Sequence, residues 1–435
     1  MQSIAGIARQ RRSPAEARRR RPSNPPEAAD AHRVRVPRAL VGAIVFAVAV
    51  ASFTRVPLLP DIGADLSLSA GDLGLLIAAF GLGRLLTDLP AGRVASSVSP
   101  RRGLAAAGIA LAAACALLAT AGSFEQVLVA FTLIGCASAL TNTTGMYAFA
   151  TAAGAERRGA NMALFSSALM SGQMVGPAVG GAVAALAGWR GAIVFAAAVG
   201  VAVAVASVGR LPIGRRDSPR PASSVGRIPD AGASGGDHRL ERDRSSGPEA
   251  VGAPSRWELA AIATAPFTVF FVIGGVMQTL VPLIGGHELG LSASTIGLAL
   301  ALGGAMRFPA AWVAGLGSDR YSRREVLVPT LVLVALGAGV LALDLGAAGW
   351  VAAIIVLALG SSAISVAAAA LADRVPARRL GHQLGVFRLT GDAGLLLGPI
   401  LAGFLYGASG VGLAAGVTAG IAAVSALVIL RLMDS

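Results

Sequence analysis

Apolar residues run through this chain in blocks of about 20, separated by short turns of Gly, Pro, Ser and Arg. The blocks begin near residues 39, 71, 104, 126, 160, 191, 257, 294, 326, 349, 384 and 410. About 20 apolar residues make a helix of roughly 30 Å, the depth of a bilayer's hydrocarbon layer. Lipid offers no partner for backbone N–H and C=O groups, so such blocks fold as helices. The pattern predicts an all-α membrane protein with twelve transmembrane helices. The blocks at 126 and 384, interrupted by Gly and polar residues, are the weakest. Two stretches break the pattern. Residues 1–36 are rich in Pro and Arg and read as a disordered tail. Residues 213–256 mix Gly, Ser, Pro and alternating charge and read as a flexible linker. Between and after them lie two segments of six spans each, 37–212 and 257–435. Ala49-Val50-Ala51 would suit signal-peptide cleavage, but eleven further spans make an uncleaved first helix the better reading.

The two segments repeat each other. At an offset of 223, Leu68-Ser69-Ala70 matches Leu291-Ser292-Ala293, Gly81 matches Gly304, Arg84 matches Arg307 and Gly92 matches Gly315. At 222, Gly172, Gly176 and Pro177 match Gly394, Gly398 and Pro399. Two parallel six-span repeats with a site between them describe a secondary transporter.

Composition agrees with the pattern: 55% of residues are hydrophobic, 14% are charged, and the mean hydropathy is +0.70. Charge adds the orientation. All 36 basic residues are Arg, and 31 of them fall in the tail, Arg431 and the loops near 93–102, 157–158, 210–256, 320–324 and 374–379. Arg190 is the one loop Arg on the other side. Basic loops face the cytoplasm, so both termini are expected inside a plasma membrane. The net charge of +13 calls for no nucleic acid. Arg18-Arg19-Arg20-Arg21 reads as a contact with anionic lipid. Cys115 and Cys136 read as small buried hydrophobes, the four His lack ligand spacing, and no glycine-rich loop carries a Lys for nucleotide phosphates. Neither a metal, a cofactor, an ATP-driven cycle nor an enzymatic nucleophile–base pair is therefore expected.

Ala168, Gly172, Gly176, Gly180, Ala184 and Gly188 recur every fourth residue, which makes one helix face a groove with almost no side chains. Pro177 can bend that helix. On spacing alone this is a packing face. The fuller pattern Gly172-x-x-x-Gly176-Pro177-x-x-Gly180-Gly181 resembles the fifth-helix motif of the major facilitator superfamily, in its proton-coupled antiporter branch. Ala163 stands where that motif has a preceding glycine, and Gly188-Trp189-Arg190 resembles the family's turn after helix five. Gly315-Leu316-Gly317-Ser318-Asp319-Arg320-Tyr321-Ser322-Arg323-Arg324 is similar to the family's loop signature, with Gly315, Asp319, Arg320 and Arg323 in place. The first-half copy has Ser96 where the acid belongs. The resemblance covers residues 37–212 and 257–431. It implies two pseudo-symmetric six-helix bundles, with spans 1, 4, 7 and 10 lining a central cavity. It also implies contacts of span 2 with 11 and of span 5 with 8.

An ionised side chain at bilayer centre costs about 2.5–3.5 kcal/mol on insertion scales, so charges inside spans need partners or a purpose. Arg84 and Asp88 lie four apart on span two, as do Arg388 and Asp392 on span eleven. Each pair can meet on its own helix. The helices are antiparallel, however, and about 1.5 Å per residue puts Asp88 and Arg388 roughly 6 and 10 Å above the inner ends. Arg84 and Asp392 then lie roughly 12 and 16 Å above them. A second arrangement is an inner gate in which Asp88 faces Arg388 and Arg84 faces Asp392 across the bundles. Arg55 and Arg307 lack such an acid, and Gln278 holds the place of Arg55 in the second repeat. Arg307 reads as structural or cavity-lining. Arg55, Asn142, Tyr147 and Gln278 are the substrate-cavity candidates.

The expectation is a monomeric carrier in the lipid bilayer that exports a small organic substrate in exchange for protons. Rival readings are an uptake or exchange carrier for an organic anion, favoured by the surplus Arg, and a non-transporting receptor of the same fold.

Overall fold

The computed structural model describes residues 37–151, 158–211, 256–375 and 377–433, with the side chains of 89–97, 151, 158–159, 256, 319 and 377–382 set aside. The expected tail, and all of the expected linker but the backbone of its last residue, lie outside the described residues. These residues form thirteen α-helices. The first half holds α1 (Arg38–Phe53), α2 (Leu59–Asp65), α3 (Ala70–Ser97), α4 (Pro100–Ala119), α5 (Phe124–Thr151) and α6 (Arg158–Arg210). The second holds α7 (Arg256–Val272), α8 (Val281–Leu283), α9 (Ala293–Arg320), α10 (Arg323–Ala342), α11 (Gly346–Gly360), α12 (Ala363–Arg374) and α13 (Ala377–Leu432). The face where α1 begins is the proximal face, and the opposite one is distal.

The helix starts are set by local chemistry. Ser322 accepts from the Glu325 amide and Glu325 reaches back to the Ser322 amide, which closes a capping box on α10. Ser292 caps α9 through the Thr295 amide, and Pro100 opens α4 where its missing N–H leaves nothing unsatisfied.

Ten continuous stretches among the described residues are long and apolar enough to cross a membrane. Two of them run to 51 and 50 residues, well beyond one crossing. Each turns back at a glycine that no other residue replaces easily, Gly188 (φ 69°) in α6 and Gly410 (φ 76°) in α13. Each of these two stretches is therefore two rods joined at a glycine. Arg190 secures the first turn, bonding Asp65 at 2.7 Å and the carbonyls of Ala119 and Ala121 at 3.0 and 3.1 Å. Gly188→Ala should therefore lower the thermal midpoint of the detergent-solubilised protein, since a side chain in this backbone region costs about 1–3 kcal/mol. Gly209→Ala, on the same helix with open space around it, should leave the midpoint unchanged.

The halves pack by the same rule. Gly172, Gly176 and Gly180 of α6 lie against the backbone of Phe46, Val50 and Thr54 in the first span. Gly394 and Gly398 of α13 lie likewise against the backbone of Phe267 and Phe271 in α7. Between the halves, Gly297 of α9 meets the Pro177 carbonyl and Gly181 meets Ala293. The repeat-related contact is Gly74 of α3 on the Pro399 carbonyl, with Gly403 on Ala70. Span 2 thus touches 11, and span 5 touches 8. These inter-half contacts run from mid-depth to the distal face, where Gly286 meets Pro60.

Candidate functional site

Two breaks in α geometry interrupt the first spans of the two halves. The first span loses its regular helix at Thr54-Arg55 and continues as a 3-10 turn, Val56–Leu58, containing Pro57. Its counterpart in the second half is π-helical over Ile273–Leu280 and again over Ile284–Glu288. Arg55 and Gln278, related by the repeat, each sit at one of these breaks. Broken helices of this kind line sites in transporters, because irregular backbone is tolerated where it borders a cavity.

A central cavity lies between the halves. The first half lines it with Phe53, Val56, Met170, Gln173, Met174 and Pro177. The second half adds Val269, Val272, Ile273, Met277, Gln278, Leu300, Gly304, Arg307, Val334, Leu357 and Ser361. Gln278 is buried and its Oε1 has no partner among the described residues. Arg307 reaches the cavity and donates from Nε to Ser361 Oγ at 3.1 Å.

Three expected cavity residues are placed elsewhere. Arg55 is 1% exposed and turned into the first half. Its guanidinium lies 3.9 Å from the ring centre of Phe80, 5.1 Å from that of Phe131 and 6.0 Å from that of Phe53. It donates to the Ser52 carbonyl, while Nε and Nη2 lack partners among the described residues. The rings' negative faces hold this cation in place of a carboxylate. Asn142 is buried and Tyr147 partly exposed, and neither belongs to the cavity wall. The wall comes from spans 1, 5, 7, 8, 9 and 10, so the expected contribution of span 4 is replaced by that of span 5. Leu300, Gly304 and Arg307 share one helical face at spacings of four and three, and the cavity wall uses that face.

The four charges of α3 and α13 lie at the other inter-half interface, and none of them belongs to the cavity wall. Arg84 Nε is 3.8 Å from Asp392 Oδ1, and Arg388 Nη2 is 3.8 Å from Asp88 Oδ2. Among the described residues the pairing runs across the two helices, not along either one. Thr143 of α5 donates to Asp88 Oδ1 at 3.1 Å, so the cluster joins three helices. The Asp392 side chain is 6% exposed, that of Arg388 44%, which grades the pairs from dry to wet.

At the proximal end of α9, the side chain of Asp319 lies outside the described residues. Gly315 has no atom near its missing side chain, and Arg320 is exposed. Arg323 bonds Asp373 at 2.8 Å and both the carbonyl and hydroxyl of Ser318. It thereby ties the start of α10 to the ends of α9 and α12. Asp373 as its partner was not legible in the sequence, where 50 residues separate the two.

A sequence model described as the Major Facilitator Superfamily matches residues 41–315 and 266–435. No curated protein matches the chain. Solved structures of the same shape include a bacterial homologue of the human lysosomal transporter Spinster, inward-facing and occupied. It superposes with a TM-score of 0.72 at 17% identity, over 91% of this chain and 96% of that one. An inward-facing, unoccupied bacterial Spinster homologue gives 0.65 at 17% identity, over 91% and 94%. A mutant of the nucleoside transporter NupG gives 0.69 at 12% identity, over 91% and 100%. At such identities the likeness is one of fold.

Proposed function

The chain belongs to the Major Facilitator Superfamily and is a transporter of small solutes, not an enzyme; we propose that it exports a small organic compound in exchange for protons, by alternating access. The observation that carries this reading is the Arg84–Asp392 contact between the halves. A proton on Asp392 removes one attraction across that interface and biases the equilibrium between two arrangements of the halves. The Asp88–Arg388 pair, nearer the proximal face, completes the gate. Export, as against uptake, is supported by the resemblance of Gly172–Gly181 to the antiporter motif. The Arg-rich proximal loops support a plasma-membrane protein with both termini in the cytoplasm. One chain contains both halves and the cavity, so a monomer suffices.

Inverted membrane vesicles with an acidic lumen test the reading. Solute should accumulate in the lumen while a lumenal pH dye reports proton loss. Accumulation that ignores the pH gradient would reject proton coupling. Movement only out of the lumen would reject export.

A further inference from the structure

We propose that the transported solute is an organic anion with an apolar body, and that its acid group takes the place of a carboxylate missing from one of the two repeat-related interfaces. The inference rests on the transporter reading and specifies its solute.

The two interfaces are related by pseudo-symmetry. The interface of α3 with α13 is matched by that of α9 with α6: Gly74 on Pro399 corresponds to Gly297 on Pro177. In the first interface Arg84 meets Asp392. Shifting these two by the same offsets, 223 for Arg84 and 222 for Asp392, gives Arg307 and Met170. Both line the central cavity. The second interface has thus kept its arginine and holds a methionine where the first holds its acid.

Arg307 is the one charged residue in the cavity wall among the described residues. Its Nε is engaged by Ser361 Oγ, whose own proton goes to the Ala358 carbonyl. That contact orients the guanidinium and leaves both terminal nitrogens without a protein partner among the described residues. Two parallel N–H donors in one plane suit a carboxylate or sulfonate held by both oxygens. A cationic solute meets a like charge here with no acid to offset it. The rest of the wall fixes the other half of the ligand. Phe53, Met170, Met174, Met277 and Leu300 present apolar surface, and methionine adapts to varied shapes.

The test uses radiolabelled phenylbutyrate, phenylbutylamine and phenylbutanol, alike in shape and different in charge, with the acid series from phenylacetate to phenylhexanoate as competitors. Binding to the full-length protein in nanodiscs should be seen for the acids alone. Met170→Asp supplies the missing carboxylate and should weaken acid binding about tenfold to a hundredfold, the range of one charge-assisted contact. Met170→Asn, of the same size without the charge, should stay near wild type. Arg307→Gln should show the same loss as Met170→Asp, so a folding failure in one variant leaves the other to decide. Each variant is accepted on monodisperse elution. Amine or alcohol binding equal to the acid, no binding by any acid of the series, or unchanged acid binding in Met170→Asp or Arg307→Gln overturns the proposal. Flux of amine or alcohol in the vesicle assay, with none of the acid, overturns the anion and leaves export standing. Flux of no probe of any charge counts against export itself.

Discussion

Arg84→Asp combined with Asp392→Arg is expected to recover transport that either single change removes. Each single change leaves one buried charge facing another of its own sign at an interface that must open and close. Breaking a buried pair costs about 3–5 kcal/mol, which predicts a fall in initial rate of roughly a hundredfold or more. The exchanged pair restores opposite charges at the same separation, so part of the rate should return. Asp392→Asn mimics the protonated acid and gives a different signature. Solute exchange without a gradient should persist, while acceleration by an acidic lumen is lost. Initial rates in inverted vesicles, with and without a pH gradient, read both effects. Recovery absent in the double variant, together with full pH-driven transport in Asp392→Asn, would remove the pair from the mechanism.

Gly297→Ala is expected to open the distal face, whereas Gly180→Ala should only loosen the first half. A Cβ at Gly297 overlaps the Pro177 carbonyl across the halves, and one at Gly74 overlaps the Pro399 carbonyl in the matching interface. A Cβ at Gly180 overlaps the Thr54 carbonyl inside the first half. Overpacking costs about 1–3 kcal/mol wherever it falls. At an interface present in one state and absent in the other, that cost shifts the population by about tenfold for each 1.4 kcal/mol. Within a half it is shared by both states and shows as lost stability. A cysteine placed at Ser294, on the distal side of the contact, should therefore react faster with an impermeant maleimide in Gly297→Ala and Gly74→Ala. Gly180→Ala should leave that rate unchanged and lower the thermal midpoint. The same labelling rate in all three would mean that the α6–α9 and α3–α13 contacts do not separate during transport.

The breaks at Val56–Leu58 and Ile273–Leu280 explain where reading by spacing stopped. Helical rise orders residues along a rod, and the reversed order of charges on antiparallel rods offered Arg84 with Asp392 and Arg388 with Asp88 as an alternative to pairing within each helix; the structure holds the cross-helix pairs. The direction in which a side chain leaves the rod depends on the turns before it. A 3-10 turn or a π turn changes the residues per turn and so rotates every later side chain about the axis. Arg55 stands at the first break and went to the rings of Phe80 and Phe131; Gln278 stands in the second and reached the cavity.

The sequence by itself determined the membrane class, the internal repeat, the Arg asymmetry and the order of the buried charges along each rod, because these depend on hydropathy and on a constant rise per residue. Only the tertiary structure decided that Arg307 and Met170 both line the cavity, that Arg55 does not, and that the described wall draws on spans 5, 8 and 9 and not on span 4. Those outcomes depend on rotation about each helix axis and on the approach of segments more than 100 residues apart, which packing sets and local spacing does not.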